Sequence, residues 1–122
     1  MGLDMFLKKI NRNYFVSLNG KFDSNDIYEN SVEVGYWRRA DEIHRWFIDA
    51  VQGGKDNCEY YEVNKEKLET LLNLCKKAKA STKDVEYNER YLSNIEKTIK
   101  ILEEVLAKTD FEQEVILYCG CW

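Results

Sequence analysis

The spacing of apolar residues changes near residue 37, and this change constrains the fold more than any other feature of the chain. Before it, three segments mix β-branched, aromatic and charged residues as short strands do: residues 3–10, 14–18 and 31–36. After it, three segments carry apolar residues at helical spacing: residues 38–52, 64–80 and 85–108. A final β-branched segment at residues 115–118 predicts a closing strand. This order is typical of an α+β fold, a small antiparallel sheet packed with about three helices.

Turn and capping residues set the expected limits of these segments. Asn19-Gly20 is a strong turn signal, and the polar residues 21–30 predict a loop. Gly53-Gly54 predicts the end of the first helix, and Asn64 predicts an N-cap for the second.

The first predicted helix has an apolar arc wider than one core requires. Its inward stripe comprises Ala40, Ile43, Phe47, Ala50 and Val51. At about 100° per residue, apolar residues also occupy both shoulders of this stripe. This arc predicts a second contact surface, for a ligand or another subunit, and we therefore expect a homo-oligomer.

Length and charge limit the function. A chain of 122 residues with 44% hydrophobic residues fits a single domain, residues 1–122, that buries roughly two thirds of its unfolded surface. The formal net charge of −4 argues against binding to nucleic-acid polymers, but a local cluster can still bind a small phosphate ligand. Neither a basic leader nor a run of about eighteen apolar residues is visible, so we expect a cytoplasmic protein without membrane contact.

The four cysteines predict thiols rather than a metal site. Cys75 falls in helical register with neighbouring leucines, where a thiol acts as a small apolar filler. Cys119 and Cys121 alternate on a predicted strand, so both sulfurs point to one face. Neither Cys58 nor the lone His44 has a zinc-ligand spacing to them. We therefore expect buried or free thiols and no cofactor.

The sequence lacks the usual equipment of an acyl or phosphoryl transferase. Neither a Walker loop nor a G-x-G-x-x-G motif is present, and Gly53-Gly54 leads into acidic Asp56. His44 with Cys58 can be written as a dyad, but a lone helical histidine is more often a packed side chain. The sequence therefore predicts a protein that is not an enzyme.

One cluster has the chemistry of binding: Trp37, Arg38, Arg39, His44 and Trp46. Arginine pairs bidentately with phosphate, tryptophan offers a flat face to a purine, and backbone N–H groups at a helix start favour anions. We assign stacking to the tryptophans, phosphate contacts to Arg38 and Arg39, and a hydroxyl or phosphate contact to His44. In the alternative, Arg38 and Arg45 are solvated and pair with acids of the same helix, and the tryptophans lie in the core; the acids are Asp41, Glu42 and Asp49.

Two tyrosine-rich groups are weaker candidates. The first spans residues 57–61, and the second spans residues 87–91 at the start of the long helix. Tyr87, Asn88 and Arg90 offer an aromatic face, an amide and a cation for a base edge or a ribose. Such tyrosines also commonly cap a core with the ring buried and the hydroxyl in water, and that alternative stays open.

The chain resembles the first described Thoeris anti-defence family of phage proteins. The resemblance spans nearly the whole chain and rests on matching segments: Gly2-Leu3-Asp4-Met5, Glu33-Val34-Gly35-Tyr36-Trp37-Arg38, Ile43-His44, Trp46-Phe47 and the terminal Trp122. Between Ala80 and Tyr87 this chain is shorter than relatives that carry an aromatic insertion there. Ligand contacts from Tyr87, Asn88 and Arg90 are for that reason second-rank expectations.

This resemblance implies a function that the residues alone do not define. Proteins of this family bind glycocyclic ADP-ribose, a messenger made from NAD by a bacterial TIR-domain enzyme, and hold it without cleaving it. They form dimers that assemble into hexamers, and some also bind cyclic oligonucleotides. The alternatives are a small nucleotide hydrolase and a direct protein inhibitor of a host defence factor.

Overall fold

The computed structural model describes residues 2–21, 24–81 and 89–122. Within these ranges the chain forms four strands and five helices, which confirms the α+β class. In chain order the elements are β1 (Asp4–Asn11), α1 (Arg12–Ser17), α2 (Ser24–Asn30), β2 (Ser31–Arg38), α3 (Asp41–Ala50), β3 (Tyr61–Val63), α4 (Lys65–Ser81), α5 (Glu89–Lys108) and β4 (Glu114–Cys121).

The strands form one antiparallel sheet in the order β2-β1-β4-β3. The first strand is central, and it pairs Met5 with Trp37 on β2 and Leu7 with Tyr118 on β4. The register against β2 shifts between Leu7 and Lys8, as it does at a β-bulge. The first and last strands of the chain therefore lie side by side.

The inner face of the sheet, on which α3, α4 and α5 pack, contains the main core. Leu3, Met5 and Leu7 alternate along the start of the chain toward this face, as a period of two requires. The helices contribute apolar residues from their predicted stripes: Ile43 and Phe47, Leu68 and Leu71, Ile95 and Leu102. Burial of this kind contributes about 1.5–3 kcal/mol for each large side chain.

The outer face, opposite these three helices, is covered only in part. A smaller apolar cluster there joins Ile10, Ile27, Val115 and Leu117. Tyr14 and Phe15 of α1 pack against this cluster. Residues toward the start of β1 and the end of β2 on this face lie outside the cluster.

Two sequence predictions for residues 12–30 are wrong. Residues 14–18 were expected to form a strand, but Asn11 caps α1 because its Oδ1 accepts the backbone N–H of Tyr14 at 3.1 Å. Residues 24–30, expected in a loop, form α2 and bury Ile27 completely. The Asn19-Gly20 turn is confirmed, with φ of +52° and +75°, but it follows a helix and does not form a hairpin.

The remaining boundaries are close to expectation. The helix predicted from residue 38 begins at Asp41, because Arg39 has a φ of +56° and interrupts the chain in the left-handed region. Gly53 also has a positive φ just beyond that helix, and Asn64 accepts the N–H of Lys67 at 2.8 Å as the predicted cap. Residues 85–88 of the predicted long helix lie outside the described ranges. The short strand β3 was not predicted.

Gly35 brings α5 unusually close to the sheet. A Cβ atom placed on Gly35 would lie 2.7 Å from the Cγ2 atom of Ile101, a separation that real side chains do not tolerate. The edge strand and the longest described helix therefore touch through a position without a side chain.

No helix within the described ranges is both long enough and apolar enough to cross a membrane.

Candidate functional site

Arg38 and Arg39 form the exposed cationic centre of the site, which we call the arginine pair. Arg38 ends β2 and Arg39 follows it, with its backbone N–H donated to the carbonyl of Leu3 at 2.7 Å. A Cβ atom on Gly2 would lie 3.0 Å from Nε of Arg39 and 3.5 Å from Nε of Arg38. Both side chains therefore lie against the backbone of Gly2, which has no side chain.

The arginine pair keeps its charge available. Among the residues that the structure describes, neither Arg38 nor Arg39 takes part in an ion pair within 4.0 Å. The alternative expected solvated arginines paired with acids of their own helix: both side chains are exposed to solvent, but neither forms such a pair among the described residues. The Arg39 N–H group, expected to face an anion at a helix start, is instead used by Leu3. Recognition of an anion here depends on the guanidinium groups.

Two aromatic rings lie beside Arg38 on the outer face. The Tyr36 and Phe6 ring centroids are 5.2 Å apart with an interplanar angle of 46°. The Lys8 ammonium lies 5.6 Å from the Phe6 ring, and the Lys97 ammonium lies 5.6 Å from the Tyr36 ring. The Tyr36 hydroxyl donates to Asp4 Oδ1 at 2.6 Å, and this hydrogen bond raises the pKa of Tyr36. Rings flanked by cations suit an anion that carries a base.

His44 lies at the centre of a buried hydrogen-bond network and not on the surface. Its ring is 1% exposed, with Nδ1 2.6 Å from the Tyr118 hydroxyl and Nε2 2.9 Å from Asp56 Oδ1. The indole N–H of Trp122 donates to the other Asp56 oxygen at 2.7 Å. Both imidazole nitrogens are therefore occupied, which corrects the expectation that His44 contacts a ligand.

The protonation of this network follows from its surroundings. Burial raises the pKa of Tyr118, so its hydroxyl keeps its proton and can donate to Nδ1 of His44. Partial burial acts to raise the pKa of Asp56, but hydrogen bonds from His44 and Trp122 outweigh it and the pKa is lowered. When Nδ1 of His44 accepts the Tyr118 hydroxyl, its Nε2–H donates to the Asp56 carboxylate. The network joins α3, through His44, to β4, through Tyr118, and to the loop before β3, through Asp56.

Glycine and cysteine at the end of β4 complete this arrangement. A Cβ atom on Gly120 would lie 2.4 Å from the imidazole of His44, so only glycine leaves room for the ring. Cys121 forms a disulfide with Cys58. The expectation of free thiols is thus wrong for these two residues, because the loop after α3 carries Cys58 to the strand end; Cys75 and Cys119 are free and buried, as expected.

Trp37 is a core residue. It is 0% exposed, and its indole N–H donates to Thr98 Oγ1 at 2.8 Å. Its face is not open to a ligand in this fold, which corrects the stacking role assigned to it. The alternative that placed the tryptophans in the core describes Trp37 correctly, because its position on β2 points to the inner face opposite Met5.

Trp46 is half-buried at a different place from the arginine pair. It packs edge-to-face on Phe47, with ring centroids 5.1 Å apart. Together with Leu74 and Tyr91 it lines a groove of about 160 Å³ between α3, α4 and α5. The structure thus separates Trp46, on the helical side, from Arg38, which faces outward at the end of β2.

The second-rank residues are described only in part. Tyr87 and Asn88 lie outside the described ranges. Arg90 is exposed in the first turn of α5, next to Tyr91 at the groove that Trp46 lines. Within the described ranges, no group of three or more His, Cys, Asp or Glu residues is placed to hold a metal ion.

Sequence reasoning missed most partners of the predicted residues. The alternation of β1, which puts Asp4, Phe6 and Lys8 on one face, was a usable signal for the outer surface. The pairing of His44 with Asp56 and Tyr118 had no local signal, because these residues are 12 and 74 positions away along the chain.

Comparison of the chain with known protein families, characterised proteins and solved structures gives no match. The fold and the site define an α+β protein with an exposed pair of arginines beside two aromatic rings.

Proposed function

We propose that this protein binds and sequesters glycocyclic ADP-ribose without cleaving it, and so blocks Thoeris immune signalling in the cytoplasm of an infected bacterium. The observation that carries the proposal is the arginine pair, which is exposed, without an ion-pair partner among the described residues, and next to the Phe6 and Tyr36 rings. A cyclic ADP-ribose presents a pyrophosphate and a purine. Guanidinium groups bind the first and aromatic rings stack on the second.

The resemblance to the anti-defence family supports the same ligand class. The matching segment at residues 33–38 includes Tyr36 and Arg38 of this surface. Its neighbouring segment includes His44, whose two ring nitrogens are both engaged inside the protein. An imidazole that is 1% exposed does not face a ligand on the outer surface, so His44 gives the hydrolase alternative no general base there.

Calorimetric titration tests the proposal directly. The ligands are glycocyclic ADP-ribose, linear ADP-ribose and a set of cyclic oligonucleotides. Replacement of Arg38 or Arg39 by Ala should cost roughly 1.5–3 kcal/mol of binding free energy, about tenfold or more in affinity. Arg45→Ala is the matched control, because Arg45 is also exposed but lies within α3. Equal affinity in all four proteins would rule out the arginine pair as the phosphate site.

Recovery of the ligand separates a sequestering protein from a hydrolase. Heating the loaded protein should release the messenger chemically unchanged and still able to activate its effector. A linear or hydrolysed product in excess of the binding sites would show turnover and support the hydrolase. Failure of every nucleotide to bind would instead favour a direct protein inhibitor.

We also propose that the protein is a homodimer or a larger homo-oligomer, as the resemblance implies. The groove that contains the half-buried Trp46 and the 46% exposed Leu74 supports this proposal, because it leaves apolar side chains in contact with solvent. Light scattering at micromolar concentration checks it, and a species of monomer mass over that range would contradict it.

A further inference from the structure

We propose that the Cys58–Cys121 disulfide is a modification site for dithiol reductants of the thioredoxin class, and that its opening lowers the affinity of the arginine pair for its anionic ligand. The second part of this inference rests on the proposed function. The first part depends only on the position of the disulfide and on what it holds.

The disulfide lies in the same row of the sheet as Arg38, the first residue of the arginine pair. Cys121 on β4 pairs with Asp4 on β1, and Asp4 pairs with Arg38 on β2. Asp4 also accepts the hydroxyl of Tyr36 at 2.6 Å. Asp4 is thus the only residue in this row between Cys121 and Arg38, and it also holds one of the two rings. Movement of the end of β4 therefore disturbs the strand pairing that positions Asp4.

The disulfide fastens residues 56–60 to the end of β4, and Asp56 of this loop is also bound to Nε2 of His44 at 2.9 Å. Residues 56–60 have no helix or strand, and Cys58 is held at a φ of +58°, in the left-handed region. Two further contacts tie this loop to the end of β4: Asp56 accepts the Trp122 indole N–H, and the Cys58 carbonyl accepts the Cys119 thiol at 3.5 Å. Each is a single hydrogen bond at a partly exposed site. Without the covalent link, a non-glycine residue at positive φ favours relaxation of the loop.

Cys58 is exposed and Cys121 is partly exposed, so a thiolate can reach the disulfide. The thiolate of the reductant attacks Sγ of Cys58, the S–S bond breaks, and Cys121 leaves as a thiolate that takes up a proton. The second thiol of the reductant loses its proton and attacks the reductant's own sulfur in the mixed disulfide, and Cys58 leaves as a thiolate that takes up a proton. Two electrons pass to the protein, and the reductant becomes a disulfide. In a reducing cytoplasm, disulfides are usually of this regulated kind and not permanent.

Cys119 does not compete with an external reductant. Its thiol is near Cys58, but burial raises the pKa of Cys119 to about 11, so it is almost entirely protonated near neutral pH. Attack on the disulfide requires a thiolate. The redox state of the Cys58–Cys121 disulfide therefore depends on an external reductant and not on Cys119.

The test compares the oxidised and reduced forms of the full chain. Reduction by thioredoxin with its reductase should increase amide hydrogen exchange in residues 56–60 and 119–122. It should also weaken binding of glycocyclic ADP-ribose by about fivefold or more, the lower end of typical coupling between two sites. Thiol labelling and mass spectrometry report the number of free cysteines in each form.

Cysteine variants distinguish the effect of losing the Cys58–Cys121 disulfide from other effects of the reductant. Cys58→Ser and Cys121→Ser should bind as the reduced protein does and should not respond to reductant. Cys75→Ser is the control, because Cys75 is buried in α4 away from the disulfide, and it should respond as the unmodified protein does. If a serine variant does not fold, the two redox forms of the unmodified chain still decide the question.

The possible results distinguish failure of the regulatory inference from failure of the proposed function and of the modification site. Equal affinity in both redox forms, with binding retained, would overturn the regulatory inference and leave the proposed function standing. No binding in either form would overturn the proposed function and, with it, any regulation of affinity. A disulfide that thioredoxin leaves intact under native conditions would overturn the modification site itself.

Discussion

On the inner face of the sheet the polar side chains are buried and paired, whereas at one end of the outer face they are exposed. Trp37 donates to Thr98, and Tyr118 is bound to His44, in surroundings without solvent. The arginine pair, one residue and two residues beyond Trp37, is exposed and makes no ion pair among the described residues. Adjacent positions of one segment therefore serve different purposes: stability inside and recognition outside.

The period of the strand causes this division. Consecutive residues of β2 point to opposite faces, so Trp37 enters the core while Tyr36 and Arg38 face outward. A cluster that is compact in sequence is therefore not one site in space. Substitutions on each face test this division between core and surface.

The largest effect is expected for Trp37→Ala on the inner face. It removes a completely buried side chain and leaves the hydroxyl of Thr98 without the indole donor. The free energy of unfolding should fall by about 3–5 kcal/mol, the usual range for a large aromatic residue in a core. Urea unfolding followed by circular dichroism measures this, and a loss below about 1 kcal/mol, typical of a surface position, would contradict the burial of Trp37.

An intermediate, pH-dependent effect is expected for Asp56→Asn, at the rim of the inner network. Because folding lowers the pKa of Asp56, its carboxylate contributes stability that is fully present above the ordinary value of 3.8 and is lost as pH falls through the folded value. The loss near neutral pH should be about 1 kcal/mol, below the full value for a charged hydrogen bond, because the side chain is 34% exposed.

The measurement for Asp56 is a pair of urea titrations, near neutral pH and well below 3.8. The difference between Asp56→Asn and the unmodified protein should be present in the first titration and absent in the second. A difference that stays constant with pH would mean that the carboxylate charge contributes nothing to stability.

The smallest effect on stability is expected for the double replacement of Arg38 and Arg39 by Ala. Both residues are exposed and neither makes an ion pair among the described residues, so unfolding free energy should change by less than about 0.5 kcal/mol. Thermal unfolding of the two proteins without ligand checks this. A large loss would show that the outer face also stabilises the fold.

Periodicity predicted the parts of the fold that have a buried face. Strands β1, β2 and β4 and helices α3, α4 and α5 were predicted because their apolar residues repeat at two or 3.6 positions. The errors fall on short elements whose form depends on distant residues. The helix α1 begins at a capping Asn11 and is anchored when Arg12 donates to the carbonyls of Phe111 and Glu114, contacts that residues 14–18 do not encode.

The candidate site was predictable to a smaller extent. Composition identified Arg38 and Arg39 as cationic residues beside aromatic ones, and the structure places them on the surface. Composition could not show that both ring nitrogens of His44 form hydrogen bonds, to Asp56 and Tyr118, since these contacts depend on the pairing of β4 with β1. The disulfide escaped prediction for the same reason, because its cysteines are 63 residues apart.

The contact between Gly35 and Ile101 constrains how this sequence can drift. With 2.7 Å between a Cβ at the first position and Cγ2 of the second, added bulk at residue 35 requires less bulk at residue 101. Substitutions at the two positions, which are 66 residues apart, are therefore expected to be coupled. Among descendants of this chain, alanine at the first should appear together with a smaller residue at the second, and such covariation would mark the interlayer spacing as a property under selection.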